Sequence, residues 1–300
     1  MTEPTVSSEF AALEASLEER RLLVEDALRR VGGNGPAPGV SAALDDSLHA
    51  PAKRVRPILA LLVAETLRCD SRVVLPAACA VELAHTASLI LDDLPCMDDA
   101  AVRRGRPACH VAHGEASAIL AGFALLNRAY GILADGWAGG PATDTRSAMA
   151  RELSDAVGLD GMIAGQAMDL AQTGSALDFP TLEFIHSRKT GALFIASARV
   201  GALAARARPA EAAAVSAYAK NLGLAFQVVD DLIDATGGEE AGKDVGKDAR
   251  KTTFVSFSGV AGARQLAQEL IVASQEALAP FGPRARLLRD LARYVVTRRR

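Results

Sequence analysis

Residues 74–99 read VLPAACAVELAHTASLILDDLPCMDD. Apolar side chains fill almost every turn up to Leu91, so the spacing predicts a buried helix over 74–94. At its end the chain releases Asp92, Asp93, Asp98 and Asp99 within eight residues. A chain that builds such a segment from Ala, Leu and Val is expected to be helical elsewhere. Its composition agrees, with 50% hydrophobic but only 4% aromatic residues, because Ala and Leu favour helices whereas sheets draw on β-branched and aromatic residues.

Working outward, three- and four-residue apolar spacing predicts about ten to twelve helices in all, among them stretches near 8–30, 54–68, 113–134, 146–171, 190–206, 210–235, 261–279 and 284–297. Loops fall at 31–39 (VGGNGPAPG), 136–144 (GWAGGPATD), 173–180 (TGSALDFP) and 237–250 (GGEEAGKDVGKDAR). No hairpin, βαβ alternation, repeat or interdomain linker is expected. The reading is one all-α domain over residues 1–300.

A second acidic cluster, Asp230-Asp231-Leu-Ile-Asp234, ends another apolar run, Leu222–Val229. Asp230 and Asp234 stand four apart and therefore share one helix face. Carboxylates gathered at the ends of buried helices repel one another unless a cation joins them. Oxygen-only donors without His or Cys suit a hard ion such as magnesium, which shares its coordination shell with phosphates.

The counter-charges are grouped as well. Lys53, Arg54 and Arg56 open a helix, Arg103, Arg104 and Arg106 follow the first acidic cluster, and Lys189 lies beside Thr190 at a helix start. Lys243, Lys247 and Lys251 punctuate the loop after the second cluster. Acids for a metal and Arg or Lys for the remaining oxygens are what a diphosphate needs. Two basic groups imply two diphosphates, one bound through metal and one directly.

The formal net charge of −3 gives no general attraction to nucleic acid. Cys69, Cys79, Cys96 and Cys109 lack C-x-x-C or zinc spacing and read as free thiols of a reducing compartment. No uninterrupted apolar run approaches the ~20 residues of a membrane span. The expectation is a cytoplasmic protein.

Taken together, His85–His110 (HTASLILDDLPCMDDAAVRRGRPACH), KRVRP at 53–57, GQAMDL at 165–170, RKTGALF at 188–194 and LAFQVVDDLIDATG at 224–237 resemble the trans-type isoprenyl diphosphate synthases. The LPCMDD stretch is most similar to the bacterial geranylgeranyl diphosphate synthases of carotenoid pathways. The resemblance implies a helical bundle of the isoprenoid synthase type with a central active-site cavity, acting as a homodimer on prenyl diphosphates. It assigns Asp92 and Asp98 to two magnesium ions and Asp230 to a third, with Asp93, Asp231 and Asp234 in support. Lys53, Arg56, His85 and Arg104 would hold isopentenyl diphosphate. Arg103, Lys189, Lys243 and Lys251 would hold the allylic diphosphate, with Thr190 and Gln227 beside the reacting carbons. Gln166 and Asp169 read as supporting or helix-packing residues. The sequence departs from the family pattern at Ala100-Ala101, where acids are common, at Pro51-Ala52, where glycines are usual, and at Arg250.

Ser88 and Ala87 lie about 6–7.5 Å below Asp92 along a helix. Farnesyl-producing relatives carry an aromatic at the position of Ala87, so an open groove and a twenty-carbon product are expected here. Farnesyl diphosphate is the alternative product, and the competing reading of Ala87 is that it merely packs against a neighbouring helix, with Phe123 or Phe226 as the groove floor. Two other readings compete. A terpene cyclase would steer its cations with aromatic faces, and this chain has one Trp and three Tyr. A non-catalytic partner subunit could relax its metal ligands, yet both acidic clusters are intact.

Overall fold

The computed structural model describes residues 10–31, 35–172, 174–236 and 252–297. The chain starts with α1 (Ala11–Arg29), α2 (Pro38–Leu48), α3 (Val55–Thr66) and α4 (Ser71–Asp92). A short antiparallel hairpin, β1 (Val102–Arg103) and β2 (Arg106–Pro107), leads into α5 (Cys109–His113). Next come α6 (Glu115–Asp135), α7 (Thr143–Val157), α8 (Met162–Ala171) and α9 (Phe179–His186). A π-helical turn, Ser187–Gly191, joins α9 to α10 (Ala192–Ala204). α11 (Pro209–Thr236), α12 (Phe254–Ala277), a 3-10 segment (Ala279–Ala285) and α13 (Arg286–Thr297) follow.

α3 is buried without a break from Pro57 to Ala64, and α10 is nearly as enclosed. Helices apolar on all sides belong at the centre of a bundle. Each of these two sends one face into each of two hydrophobic clusters. Ala60, Leu61, Ala196 and Val200 join the cluster of α4, α6 and α7. Leu59, Leu62, Phe194 and Ala198 join the cluster of α11, α12 and α13. Leu59 and Leu61 are fully buried, and a fully buried leucine contributes about 1.5–3 kcal/mol. The two acidic clusters therefore hang from different hydrophobic clusters, and α3 and α10 pack into both.

The helical architecture agrees with the sequence reading, with local departures. The expected helix over 146–171 is divided between α7 and α8 by Gly158–Gly161. α2 and α9 lie outside the stretches to which helices were assigned from the spacing; each begins with a proline in its first two positions, where the missing N–H costs nothing. α12 begins at Phe254 rather than near 261, started by a capping box between Thr253 and Ser256 and kinked at Gly259. The hairpin was also not expected. Its strands are two residues long, too short for alternation to show.

By length and composition alone, α4 and α6 are apolar enough to cross a membrane. α4 owes its composition to burial, since 67% of its most apolar window lies inside the protein. α6 packs on α4 but leaves Ile119, Leu120 and Phe123 exposed on its outer side.

Candidate active site

α4 stops at Asp92, and backbone bonds fold the next residues back on its end. Asp98 N–H donates to the Asp92 carbonyl at 2.9 Å, and Ala100 N–H to the Asp93 carbonyl at 3.1 Å. This return brings the Asp98 side chain near Asp92. Neighbouring residues on a helix point about 100° apart, so Asp93 turns inward and is only 2% exposed. Arg103 on β1 engages both of its oxygens, with Nε donating at 3.0 and 3.1 Å and a second guanidinium N–H also reaching Oδ1.

Lys189 comes from the opposite wall, in the π-helical turn. Its Nζ lies 2.8 Å from Asp169, 3.7 Å from Asp92 and 3.8 Å from Asp98. This approach depends on Gly165 of α8. A Cβ there would sit 2.2 Å from the Lys189 backbone nitrogen, so a side chain at 165 would push the two walls apart. The next residue, Gln166, donates Nε2–H to Asp92 Oδ1. Its Oε1 is buried without a hydrogen-bond partner among the described residues. Gln166 and Asp169 therefore belong to the site. The sequence held the signal, since residues three apart share a helix face and both follow the glycine.

Three carboxylates thus converge on one cationic centre. That donor set is all oxygen and fits magnesium. Among the described residues no three Asp, Glu, His or Cys side chains form a cage by themselves, and an ion held here would complete its shell with water and substrate oxygens.

The second cluster lies on the last turns of α11. Asp231 is 7% exposed. Its Oδ1 accepts from Gln227 Nε2 at 3.0 Å, and its Oδ2 accepts from the Phe254 backbone N–H at the start of α12, at 2.8 Å. Gln227 Oε1 in turn accepts from the Thr190 hydroxyl at 3.1 Å. The amide of Gln227 is thereby oriented from both ends. Asp230 is half-buried and Asp234 exposed, and the charge of Asp230 reaches Arg56 on α3.

Arg56 meets His85 of α4 at 3.1 Å between guanidinium and Nε2, and lies over the Phe194 ring at 4.8 Å. Burial, followed by the charges of Arg56, Arg104, Arg103 and Arg54, holds His85 well below the ordinary imidazole range. A neutral ring then accepts at Nε2 from Arg56. Burial also lowers Arg56 to about 10, with Arg104 adding to the effect and Glu82 and Asp230 opposing it. Arg104 occupies the tip of the hairpin with φ of 54°, a left-handed turn followed by Gly105 that aims its side chain back toward α4. Lys53 is exposed just before α3. Arg56, Arg104, Arg103 and Arg54 thus gather positive charge around His85. Glu82, which no sequence argument singled out, lies buried in an ion pair with Arg54 at 2.8 Å.

Ala87 is 2% exposed on the side of α4 that meets α6. There a Cβ at Gly122 would lie 3.2 Å from the Leu91 side chain and 3.7 Å from the Ala87 carbonyl oxygen, so α4 and α6 are in close contact at this level. Ser88 is half-buried and its hydroxyl donates to the His85 carbonyl at 2.8 Å. Phe123 is 62% exposed on the outer side of α6, away from its own groove. Phe226 packs on Phe194 with ring centroids 5.4 Å apart. A cavity of about 190 Å³ lies against Asp93, Arg103 and Arg104, bounded also by Thr86, Ile90, Cys109 and His113. Lys243, Lys247, Arg250, Lys251 and the C-terminal Arg298–Arg300 lie outside the described residues.

The family model described as polyprenyl synthetase matches residues 38–276. The chain is 40% identical over 286 residues to a geranylgeranyl diphosphate synthase of Cyanophora paradoxa, covering 94% of this chain and 95% of that one. It is also 40% identical over 272 residues to a farnesyl diphosphate synthase of Geobacillus stearothermophilus, covering 89% and 91%. Among solved structures, an FPP/GFPP synthase from Zymomonas mobilis superposes with a TM-score of 0.86 at 34% identity, covering 95% of this chain and 99% of that one.

Proposed function

The chain belongs to the polyprenyl synthetase family and is a trans-prenyltransferase, and from that premise we propose that it condenses isopentenyl diphosphate with an allylic diphosphate to give geranylgeranyl diphosphate, with magnesium, as a single catalytic domain. The observation that carries this reading is the pairing of two unlike anion sites on one groove. In one, Lys189 stands among Asp92, Asp98 and Asp169; in the other, Arg56 and Arg104 gather positive charge around the neutral His85.

In this reading the carboxylate-lined site takes the allylic diphosphate. Asp92 and Asp98, with Asp230 and Asp234 opposite, are the residues that would hold magnesium, while Asp93 and Asp231 keep their neighbours in place. Magnesium, when bound, would neutralise diphosphate charge and ease cleavage of the bond to the allylic carbon. Lys189 and Arg103 stand where they could follow the charge onto the leaving diphosphate, and Lys243 and Lys251 are proposed to join them. The oxygens of Thr190 and Gln227 lie side by side, their dipoles set by Asp231, and would ease positive charge on the allylic carbon. The isopentenyl double bond, its diphosphate held by Lys53, Arg56, His85 and Arg104, supplies the electron pair for the new carbon–carbon bond. A proton is then lost, and the released diphosphate is the proposed acceptor.

The twenty-carbon product is favoured by the small residues Ala87 and Ser88 one turn below Asp92, although relatives of both product lengths stand at the same identity. We also propose a homodimer, because Val111, Ile119, Leu120 and Phe123 leave a sizeable apolar surface exposed around α5 and α6. Its four free thiols accord with a reducing cytoplasm.

The test is incubation of the purified protein with labelled isopentenyl diphosphate and dimethylallyl, geranyl or farnesyl diphosphate, with and without magnesium, followed by mass analysis of dephosphorylated products. A magnesium-dependent linear twenty-carbon alcohol, shortened by Ala87→Phe, is expected. A fifteen-carbon end point would keep the chemistry and overturn the groove assignment. Absence of elongation by folded protein with any starter would favour the partner-dependent subunit.

A further inference from the structure

Arg54 and Glu82 make the most enclosed ion pair among the described residues, with side chains 1% and 2% exposed. Neither belongs to the proposed substrate contacts. We propose that this pair is the positioning unit of the metal-free diphosphate site, setting affinity for isopentenyl diphosphate without touching it. The inference rests on the reading that Lys53, Arg56, His85 and Arg104 bind that diphosphate.

The geometry ties both halves of the site to one guanidinium. Arg54 donates to Glu82 of α4 at 2.8 Å, to the Leu48 carbonyl at 2.5 Å and to the Ala50 carbonyl at 3.3 Å. The Leu48 carbonyl is among the last of α2, which the helix leaves without an internal partner. Residues 49–53, which carry Lys53, are therefore folded around the Arg54 side chain. The Arg54 backbone is left-handed, with φ of 51° and ψ of 36°, a conformation disfavoured for any residue with a Cβ. This bend starts α3 abruptly and leaves Lys53 exposed while Arg56, two residues on, reaches His85. On α4, Glu82 stands three residues before His85, on the same side of the helix.

The electrostatics point the same way. Arg54, Arg56, Arg103 and Arg104 crowd around a ring that stays neutral. Glu82 is the carboxylate that most offsets the burial of both Arg56 and Arg104. It keeps like charges assembled before the substrate arrives. Being paired and enclosed, it does not itself repel the incoming diphosphate through open solvent.

Steady-state kinetics with each substrate varied in turn tests this. Glu82→Gln keeps the shape and removes the charge. It is expected to raise the KM for isopentenyl diphosphate by about tenfold or more, with kcat and the allylic KM changed by less than about threefold. Arg54→Lys, which keeps the charge and loses the fork, should shift the same parameter in the same direction and stands in if the first variant does not fold. A smaller rise, or an equal rise for both substrates, overturns the proposal, because general loosening of the fold would not choose between them. Arg56→Ala is the control. If it leaves the isopentenyl KM unchanged, the site reading fails; if it raises that KM and Glu82→Gln does not, the positioning role fails alone.

Discussion

Asp93 and Asp231 hold matching places, each the second residue of an Asp-Asp pair at the end of an apolar helix, yet the protein restrains them by different means. Asp93 is gripped by a charged partner, the Arg103 guanidinium from the hairpin. Asp231 is held by neutral donors, the Gln227 amide and the Phe254 backbone N–H. In both clusters the second carboxylate is buried and committed to protein, leaving its predecessor toward the groove. The difference shows what each cluster is organised around. Near Asp92 the surroundings are cationic, and Arg103 also belongs to the proposed diphosphate clamp, so metal side and phosphate side share one residue. Near Asp230 the chain of bonds runs instead from Thr190 through Gln227 to the start of α12, linking the proposed cation-facing dipoles to the far side of the lysine loop.

The sharpest test separates first from second carboxylates. Asp92→Asn and Asp230→Asn are each expected to cut kcat/KM by about a thousandfold, the scale of several kcal/mol of charge stabilisation. Little change in stability should accompany the loss; an equal effect from Asp231→Asn would erase the proposed division of labour. Asp93→Asn comes next. It leaves Arg103 without its carboxylate, so activity should fall about 10–100-fold and stability by about 1.5–3 kcal/mol, toward the lower end because Arg103 is partly exposed. A double-mutant cycle with Arg103→Gln would show strong coupling, and independent effects would contradict the shared clamp. The smallest effect belongs to Asp231→Asn, where an amide still accepts one of two neutral hydrogen bonds. About 1 kcal/mol of stability and no more than about tenfold in activity should be lost, as measured by denaturant melts beside turnover. A larger loss than for Asp93→Asn would reverse the comparison.

Much of this arrangement is legible in the sequence. The apolar runs ending in acid announce α4 and α11, and the spacing of Asp230 and Asp234 announces a shared face. The 100° step between neighbours already says that both members of an Asp-Asp pair cannot face one groove, although it does not say which turns inward. What stays hidden depends on contacts between distant segments. The π-helical turn comes close to α8 only because residue 165 is glycine, a fact with no local pattern. The hairpin is too short to alternate, and its Arg104-Gly105 tip carries no strong turn signature. Arg54 reads as one more cation in KRVRP until Glu82, 28 residues on, is seen beside it.

Among the described residues, the acidic clusters hang from separate hydrophobic clusters that share the buried faces of α3 and α10. In the language of local unfolding, such a site is no stronger than the weaker of its two supports. If the α11–α13 side opens while the α4–α7 side stays folded, Asp230 leaves Asp92 and turnover stops, although most of the helix content survives. Working temperature is then governed by the less stable half, and a substrate spanning both halves acts as a strut that raises it.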